Sequence, residues 1–220
     1  MKKIIGLFAA FLFCFYSNSI ASSPSFDNPK KFTSEFLFGI RFPMAKQTSN
    51  DILSGFSLRF NVGYQLTRNL EIANLGFDFG SSSPHNPDYV YDYYYGLIQE
   101  SVNIYGFPLT MRYRFQLKDQ IEGYVGAGAA YYWFMTKLEL PYYGQLTGSR
   151  KRHGPGGIFE IGAFTDAFSE KLLVGLTSNF LYLETNGKTL TNPGANPDQK
   201  VKRVDTYLTF AVCLRYYMGK

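Results

Sequence analysis

From Phe56 to Leu66 apolar and polar residues alternate without a break. Phe56, Leu58, Phe60, Val62, Tyr64 and Leu66 share one side of an extended chain; Ser57, Arg59, Asn61, Gly63 and Gln65 share the other. Successive side chains of a β-strand point to opposite faces, so this period of two predicts a strand with one apolar and one polar face. The same beat recurs over 34–42, 70–79, 102–116, 121–135, 157–165, 172–183 and 205–218. In the first of these Phe36, Phe38, Ile40 and Phe42 oppose Glu35, Gly39 and Arg41, and Leu37 breaks the pattern. In the third strand Ala73, Leu75, Phe77 and Phe79 oppose Asn74, Gly76 and Asp78. The segment 157–165 carries the weakest beat.

The connections between the eight strands alternate in length. Residues 67–69, 117–120 and 167–170 are tight turns, whereas 80–100, 136–156 and 184–204 are long and polar, with a shorter connection at 44–52. Short turns at one end and long loops at the other are the pattern of a closed antiparallel up-and-down transmembrane β-barrel. Two features turn the apolar face outward, toward lipid. The polar face collects Gly39, Gly63, Gly76, Gly106, Gly126, Gly128, Gly162 and Gly175, small residues suited to a narrow interior. The apolar face is dominated by Phe, Tyr and Leu, too many rings for an eight-stranded barrel to enclose. Closure would satisfy the backbone hydrogen bonds inside hydrocarbon. Tyr64, Tyr105, Trp133 and Tyr216, near strand ends, would form interfacial girdles.

The start of the chain agrees with export. Met1-Lys2-Lys3 precedes an apolar run from Ile4 to Tyr16 and a small-residue stretch ending at Ala21, which reads as a signal peptide over 1–21. The run is short for a spanning helix. Residues 22–31 would form a short periplasmic segment and 32–220 the barrel. The chain holds 18 Tyr, 21 Phe and 21 Gly, in keeping with β-structure bearing one apolar face. Removing 1–21 takes away Lys2 and Lys3 and no acid, so the net charge falls from +5 to +3. That imbalance is no argument for nucleic acid. Only Cys213 remains beyond residue 21, so no disulfide framework is expected.

The candidate chemistry lies in three places. The polar face gathers Glu35, Asp78, Glu122 and Glu160 with Arg41, Arg59, Arg112, Arg114 and Arg215. Such charges form either a polar solute path or an ion-pair network that plugs the barrel; the narrow bore favours the plug. The 80–100 connection carries Tyr89, Tyr91, Tyr93, Tyr94 and Tyr95, a set suited either to recognition or to an aromatic extension of the strands above the membrane. The 136–156 connection carries Arg150, Lys151, Arg152 and His153, either a grip on lipopolysaccharide phosphates or acidic host glycans, or a solvated charge run. His85, Asp88 and Asp92 lack the tight spacing of a metal site, and no cofactor is expected.

Several segments carry a family likeness. Tyr124-Val125-Gly126-Ala127-Gly128-Ala129, Pro108-Leu109-Thr110-Met111-Arg112-Tyr113-Arg114-Phe115 and Val62-Gly63-Tyr64-Gln65-Leu66 resemble, in this order and spacing, strands five, four and two of the eight-stranded outer-membrane-protein β-barrel family. The resemblance runs over roughly 32–218. It implies an outer-membrane location, contact with outer-membrane lipid and lipopolysaccharide, and recognition of the last strand by the outer-membrane assembly machinery. Such barrels usually end on an aromatic residue; here Tyr216-Tyr217 is followed by Met218-Gly219-Lys220, so the signal is slightly internal. The role the resemblance implies is non-catalytic: envelope integrity, or interaction with host or surface ligands through the loops. A narrow channel for small or apolar solutes is the second reading. A lipid A-modifying enzyme is the third, since His85 and Ser81 to Ser83 are close in sequence but no His-x-Ser pair falls on a strand.

Overall fold

In a computed structural model the chain is described over residues 32–44, 52–84, 90–92, 96–118, 120–139, 146–166, 171–188 and 200–218. Among the described residues nine strands are present: β1 (Phe32–Pro43), β2 (Ile52–Gln65), β3 (Leu70–Pro84), β4 (Val90–Asp92), β5 (Gly96–Lys118), β6 (Ile121–Glu139), β7 (Leu146–Thr165), β8 (Leu172–Lys188) and β9 (Lys200–Met218). Each long strand pairs antiparallel with its neighbour. β1 pairs with β9 from Phe32↔Met218 to Pro43↔Tyr207, and β3 pairs with β5, so eight strands close a ring. The short β4 stands outside that ring and folds back on the first residues of β5, Val90 facing Ile98. The signal peptide and the segment 22–31 lie outside the described residues.

Inside-out amphipathicity is plain along β1. Phe36, Phe38 and Ile40 are about half exposed on the outer wall, while Thr33, Glu35, Leu37 and Arg41 are buried within. Leu37 keeps the register rather than breaking it: it packs in a small interior cluster with Ala211 and Cys213. Rings tile the outer wall. Phe77 meets Phe107 edge-on at 5.5 Å, and Phe107 meets Trp133 perpendicularly at 5.7 Å. Phe32 and Tyr64 lie 4.9 Å apart near the tight-turn end, with Tyr216 exposed at the same end.

Three features depart from the sequence expectation. The strand expected at 157–165 extends from Leu146, because β6 runs on to Glu139 and pairs with it as far as Glu139↔Leu146. Arg150, Lys151 and Arg152 therefore sit on a strand, not in a loop. β8 and β9 likewise carry their ladder out to Lys188↔Lys200. Finally, the β3 ladder is irregular between Ala73 and Asp78 and again opposite Val62–Tyr64. An irregularity that adds a residue reverses the facing of everything before it. Ala73, expected on the outer face with Leu75, is buried inside, and Glu71 joins it there.

The wall is uneven in height. β1, β2 and β3 have 12, 14 and 15 residues; β5, β6, β7 and β9 have 23, 19, 20 and 19. A tilted strand crosses a bilayer in about 9–11 residues. The β5–β9 side therefore rises well beyond the apolar band, at the end bearing the long connections.

Candidate functional site

The interior is the candidate site, and its construction begins with glycine. Gly106, Gly162 and Gly175 sit directly across the ladder from Tyr132, Tyr124 and Phe164. A Cβ at those glycines would come within 2.3 Å of the Tyr132 ring, 2.5 Å of the Tyr124 ring and 2.5 Å of the Phe164 ring. The missing side chains are thus the space in which three inward rings lie flat against the wall. Those rings in turn carry the charges. The Arg112 guanidinium lies 4.5 Å from the Tyr124 ring centre and that of Arg215 lies 4.2 Å from Phe164. A guanidinium at this range over a ring face is attracted by the ring quadrupole.

Near the tight-turn end the ion pairs form a continuous chain. Arg112 donates to Glu160 at 2.6 Å and to Glu35 at 2.6 Å. Arg215 donates to Glu35 at 2.6 Å, to Glu71 at 3.3 Å and to Glu122 at 3.2 Å. Arg114 donates to Glu122 at 2.5 Å and also reaches the Tyr217 hydroxyl. Thr33 and Thr110 donate to Glu71 and Glu160, each at 2.6 Å. A second knot lies higher. Asp78 accepts from Arg41 at 2.7 Å, Arg59 at 2.9 Å, Ser57 at 3.2 Å and the Tyr132 hydroxyl at 2.5 Å. Arg59, 3.9 Å from Glu160, joins the two knots.

Above this the interior turns apolar. Val102, Ile104, Ala130, Tyr132, Phe134, Ile158, Leu181, Leu183 and Tyr207 form one buried cluster. Polar groups return beyond it: Arg152 binds Asp205 at 3.0 Å and Thr185 donates to Asp205 at 2.7 Å. The tall strands β8 and β9 record this order. Along β8 the inward residues read Asn179, Leu181, Leu183, Thr185; along β9, from the other end, they read Asp205, Tyr207, Thr209. The result is an ionic storey, a dry storey and an ionic cap. Arg112, Arg215, Phe134 and Leu183 have no solvent exposure. Unpaired charges in such a place would be very costly, and pairing is what makes them tolerable. Arg41, Arg59, Arg112, Arg114, Arg152 and Arg215 face Glu35, Glu71, Asp78, Glu122, Glu160 and Asp205, so the charges cancel one for one.

The nine polar-face residues singled out from the sequence all point into this interior. Sequence reasoning missed Glu71, Arg152 and Asp205. Glu71 was hidden by the irregularity in β3. Arg152 was assigned to a loop, but the extension of β7 turns it inward against Asp205 and over the Phe134 ring at 4.9 Å. The dry storey was also missed, although Leu181, Leu183 and Tyr207 obey the same period of two. Of the tyrosines expected to recognise ligands, Tyr91 lies on β4, while Tyr89, Tyr93, Tyr94 and Tyr95 lie outside the described residues, as do His85 and Asp88. Among the described residues no group of three or more His, Cys, Asp or Glu is placed to hold a metal ion.

No protein-family model and no curated protein matches the chain. Solved structures do. The crystal structure of Neisserial surface protein A matches at 14% identity and a TM-score of 0.53, over 86% of this chain and 97% of that one. The outer membrane protein OprG from Pseudomonas aeruginosa matches at 13% identity and 0.55, over 86% and 97%. The outer membrane protein AlkL in lipid bilayers matches at 13% and 0.51, over 93% and 98%. The fold is that of the eight-stranded outer-membrane β-barrels.

Proposed function

We propose that this chain is an integral outer-membrane protein with a non-catalytic, non-conducting role: a sealed, rigid barrel that holds surface segments above the membrane. The observation that carries this reading is the dry storey between two ionic ones. Phe134, Leu183, Ile104 and Tyr207 fill the bore where an ion would have to shed its water, and the charges on either side are already neutralised by one another. An interior of eight strands is just wide enough for side chains, and here ion pairs, the apolar cluster and the Arg152–Asp205 pair follow one another along it. The tight-turn end with both strand termini then faces the periplasm, and the tall β5–β9 wall carries the long connections outward. That wall supplies a stiff base for recognition by the tyrosine-rich chain at 89–95, toward host or other surface ligands.

The test is conductance. Purified protein reconstituted in planar bilayers stays silent from low to high salt, and Phe134→Ala with Leu183→Ala opens discrete steps by hollowing the dry storey. Stepwise conductance from the wild-type barrel would refute the sealed reading. In cells, deletion of 86–98 abolishes adherence while the barrel still folds; unchanged adherence would refute the surface role.

A further inference from the structure

The outer face of β7–β9 changes character abruptly at one level. On the hydrocarbon side lie Phe159 and Phe180, exposed to lipid. At the boundary Tyr131 and His153 share a hydrogen bond of 2.6 Å between the hydroxyl and Nδ1, their rings stacked, with Trp133 4.7 Å from Tyr131. Tyr182, exposed on β8 opposite Gly157, donates to Glu184 at 3.3 Å. Rings with a polar tip at the end of an apolar band mark the water–lipid boundary. Immediately beyond it the same face carries lysine. Lys151 stands two residues above His153, and Lys202 two above Val204; both are exposed. The register sets Asn186 opposite Lys202 and Lys188 opposite Lys200, and Arg152 opposite Gly187 brings Lys151 level with Lys188 one step away. Neighbouring strands are about 4.8 Å apart, so the backbone positions of Lys151, Lys188 and Lys200 span roughly 10 Å. Glu184 is the acid among them.

Below the lysines the wall is smooth. Gly157 faces outward, pairs with Ala129 and with Tyr182, and a Cβ there would meet nothing closer than a backbone oxygen at 3.8 Å. With Pro155 exposed two residues away, this stretch of the outer surface of β7 carries no protruding polar side chain between the exposed Phe159 and Tyr182. A ligand of this surface must therefore have an anionic head at Lys151 and Lys202 and acyl chains against the wall.

We propose that this face docks the phosphate groups of the phosphorylated glycolipid of the outer leaflet. The inference rests on the outer-membrane reading above, and it goes beyond it by assigning the contact to one sector of the wall. The strand alternation divides the basic run: Arg152 is spent inside on Asp205, and Lys151 is left for the lipid.

The experiment uses the full folded chain in phosphatidylcholine nanodiscs, with bisphosphorylated lipid A titrated in and bound lipid counted by native mass spectrometry. Lys151→Glu with Lys202→Glu weakens lipid A binding roughly tenfold or more. Lys118→Glu with Lys171→Glu, the same charge change at the tight-turn end, leaves it within twofold, and fully dephosphorylated lipid A binds weakly to all three. Both variants alter exposed residues, and retention of the compact folded band on gels confirms intact barrels. Equal binding of wild type and K151E/K202E, tight binding of the dephosphorylated lipid, or displacement by inorganic phosphate would each overturn the proposal. A chain that inserts and stays sealed yet ignores lipid A fails this inference alone; a chain that does not insert in bilayers fails the outer-membrane reading itself.

Discussion

Asp78 is an acceptor shared by several side chains inside the barrel, and its removal tests whether the ionic storeys are built as units. It accepts from Arg41, Arg59, Ser57 and Tyr132. Asp78→Ala leaves two guanidiniums facing each other, with Glu160 at 3.9 Å from Arg59 as the nearest countercharge to that residue. Deleting one partner of a buried pair costs about 3–5 kcal/mol, because the survivor stays buried without its countercharge. Arg59→Met alone removes one donor and leaves Asp78 with Arg41, Ser57 and Tyr132, so it costs about 1–2 kcal/mol. The double variant removes a cation together with the acid, and its cost falls below the sum of the two singles by about 1–3 kcal/mol. Trp133, the single tryptophan, lies on the lipid-facing wall and reports unfolding from vesicles in urea by its emission. At a slope of about 2 kcal/mol per molar urea, Asp78→Ala lowers the midpoint by about 2 M. Strict additivity of the two variants, or a midpoint for Asp78→Ala within a few tenths molar of the wild type, would show that the arginines find water or other partners and that the storey is not sealed.

Other perturbations address the remaining layers. Gly106→Val pushes a branched side chain into the Tyr132 ring, 2.3 Å from where its Cβ would stand. The ring must move, taking its hydroxyl away from Asp78, and the equilibrium midpoint in urea falls by about 1–3 kcal/mol equivalent; Tyr132→Ala in the same background recovers part of it, and no recovery would disprove the ring-over-glycine account. Phe38→Arg, half-way along β1 on the outer wall with 56% exposure, puts a charge into hydrocarbon and costs about 2–4 kcal/mol when measured in lipid vesicles. Equal stability of that variant in vesicles would mean that the face is wetted rather than lipid-covered.

Most of the architecture was legible because a strand's facing follows from counting by two. β1 and the described side chains of β8, β9 and β2 from Gly55 on keep one phase, so Glu35, Arg59, Thr177 and Arg215 could be placed inside from residue order alone. Two physical effects limited the reading. A ladder irregularity such as the one between Ala73 and Asp78 resets the phase without any mark in composition, which concealed Glu71. Strand ends beyond the bilayer lose the contrast between lipid and lumen, since both faces there meet water or polar groups. The stretch from Leu146 to Gly156 therefore reads as a loop, although its backbone pairs with β6 residue by residue from Gly148 onward. The dry storey was obscured for a related reason: Phe134, Leu181 and Leu183 are as apolar as their outward neighbours, and composition cannot sort an inward ring from an outward one.

That last point bears on how the barrel chooses its register at all. In water, burial of apolar surface tells one face of a strand from the other. In hydrocarbon the outward face gains little by turning inward, so the apolar residues cannot hold the register alone. The charged residues can. A slip of one residue between neighbouring strands turns every side chain of a strand to the opposite face. In β5 such a slip would send Arg112 and Arg114 into lipid and bring Met111 and Tyr113 among the carboxylates of Glu35, Glu122 and Glu160. The interior pairs join β1, β2, β3, β5, β6, β7 and β9, so one misplaced strand leaves several partners unmatched at once. On the sealed reading proposed above, the ionic storeys do two things with the same side chains: they close the bore, and they make the native register the one arrangement in which no charge is stranded in the membrane. On this view Arg112→Met with Glu160→Met, a swap that removes a matched pair and fills the space, leaves stability within about 1–2 kcal/mol of the wild type but increases the fraction of misregistered chains after refolding into lipid. Disulfide trapping between Cys pairs introduced at Met111/Ala127 and at the slipped Met111/Gly128 would measure that fraction, and an unchanged ratio would remove the role in register while leaving the seal intact.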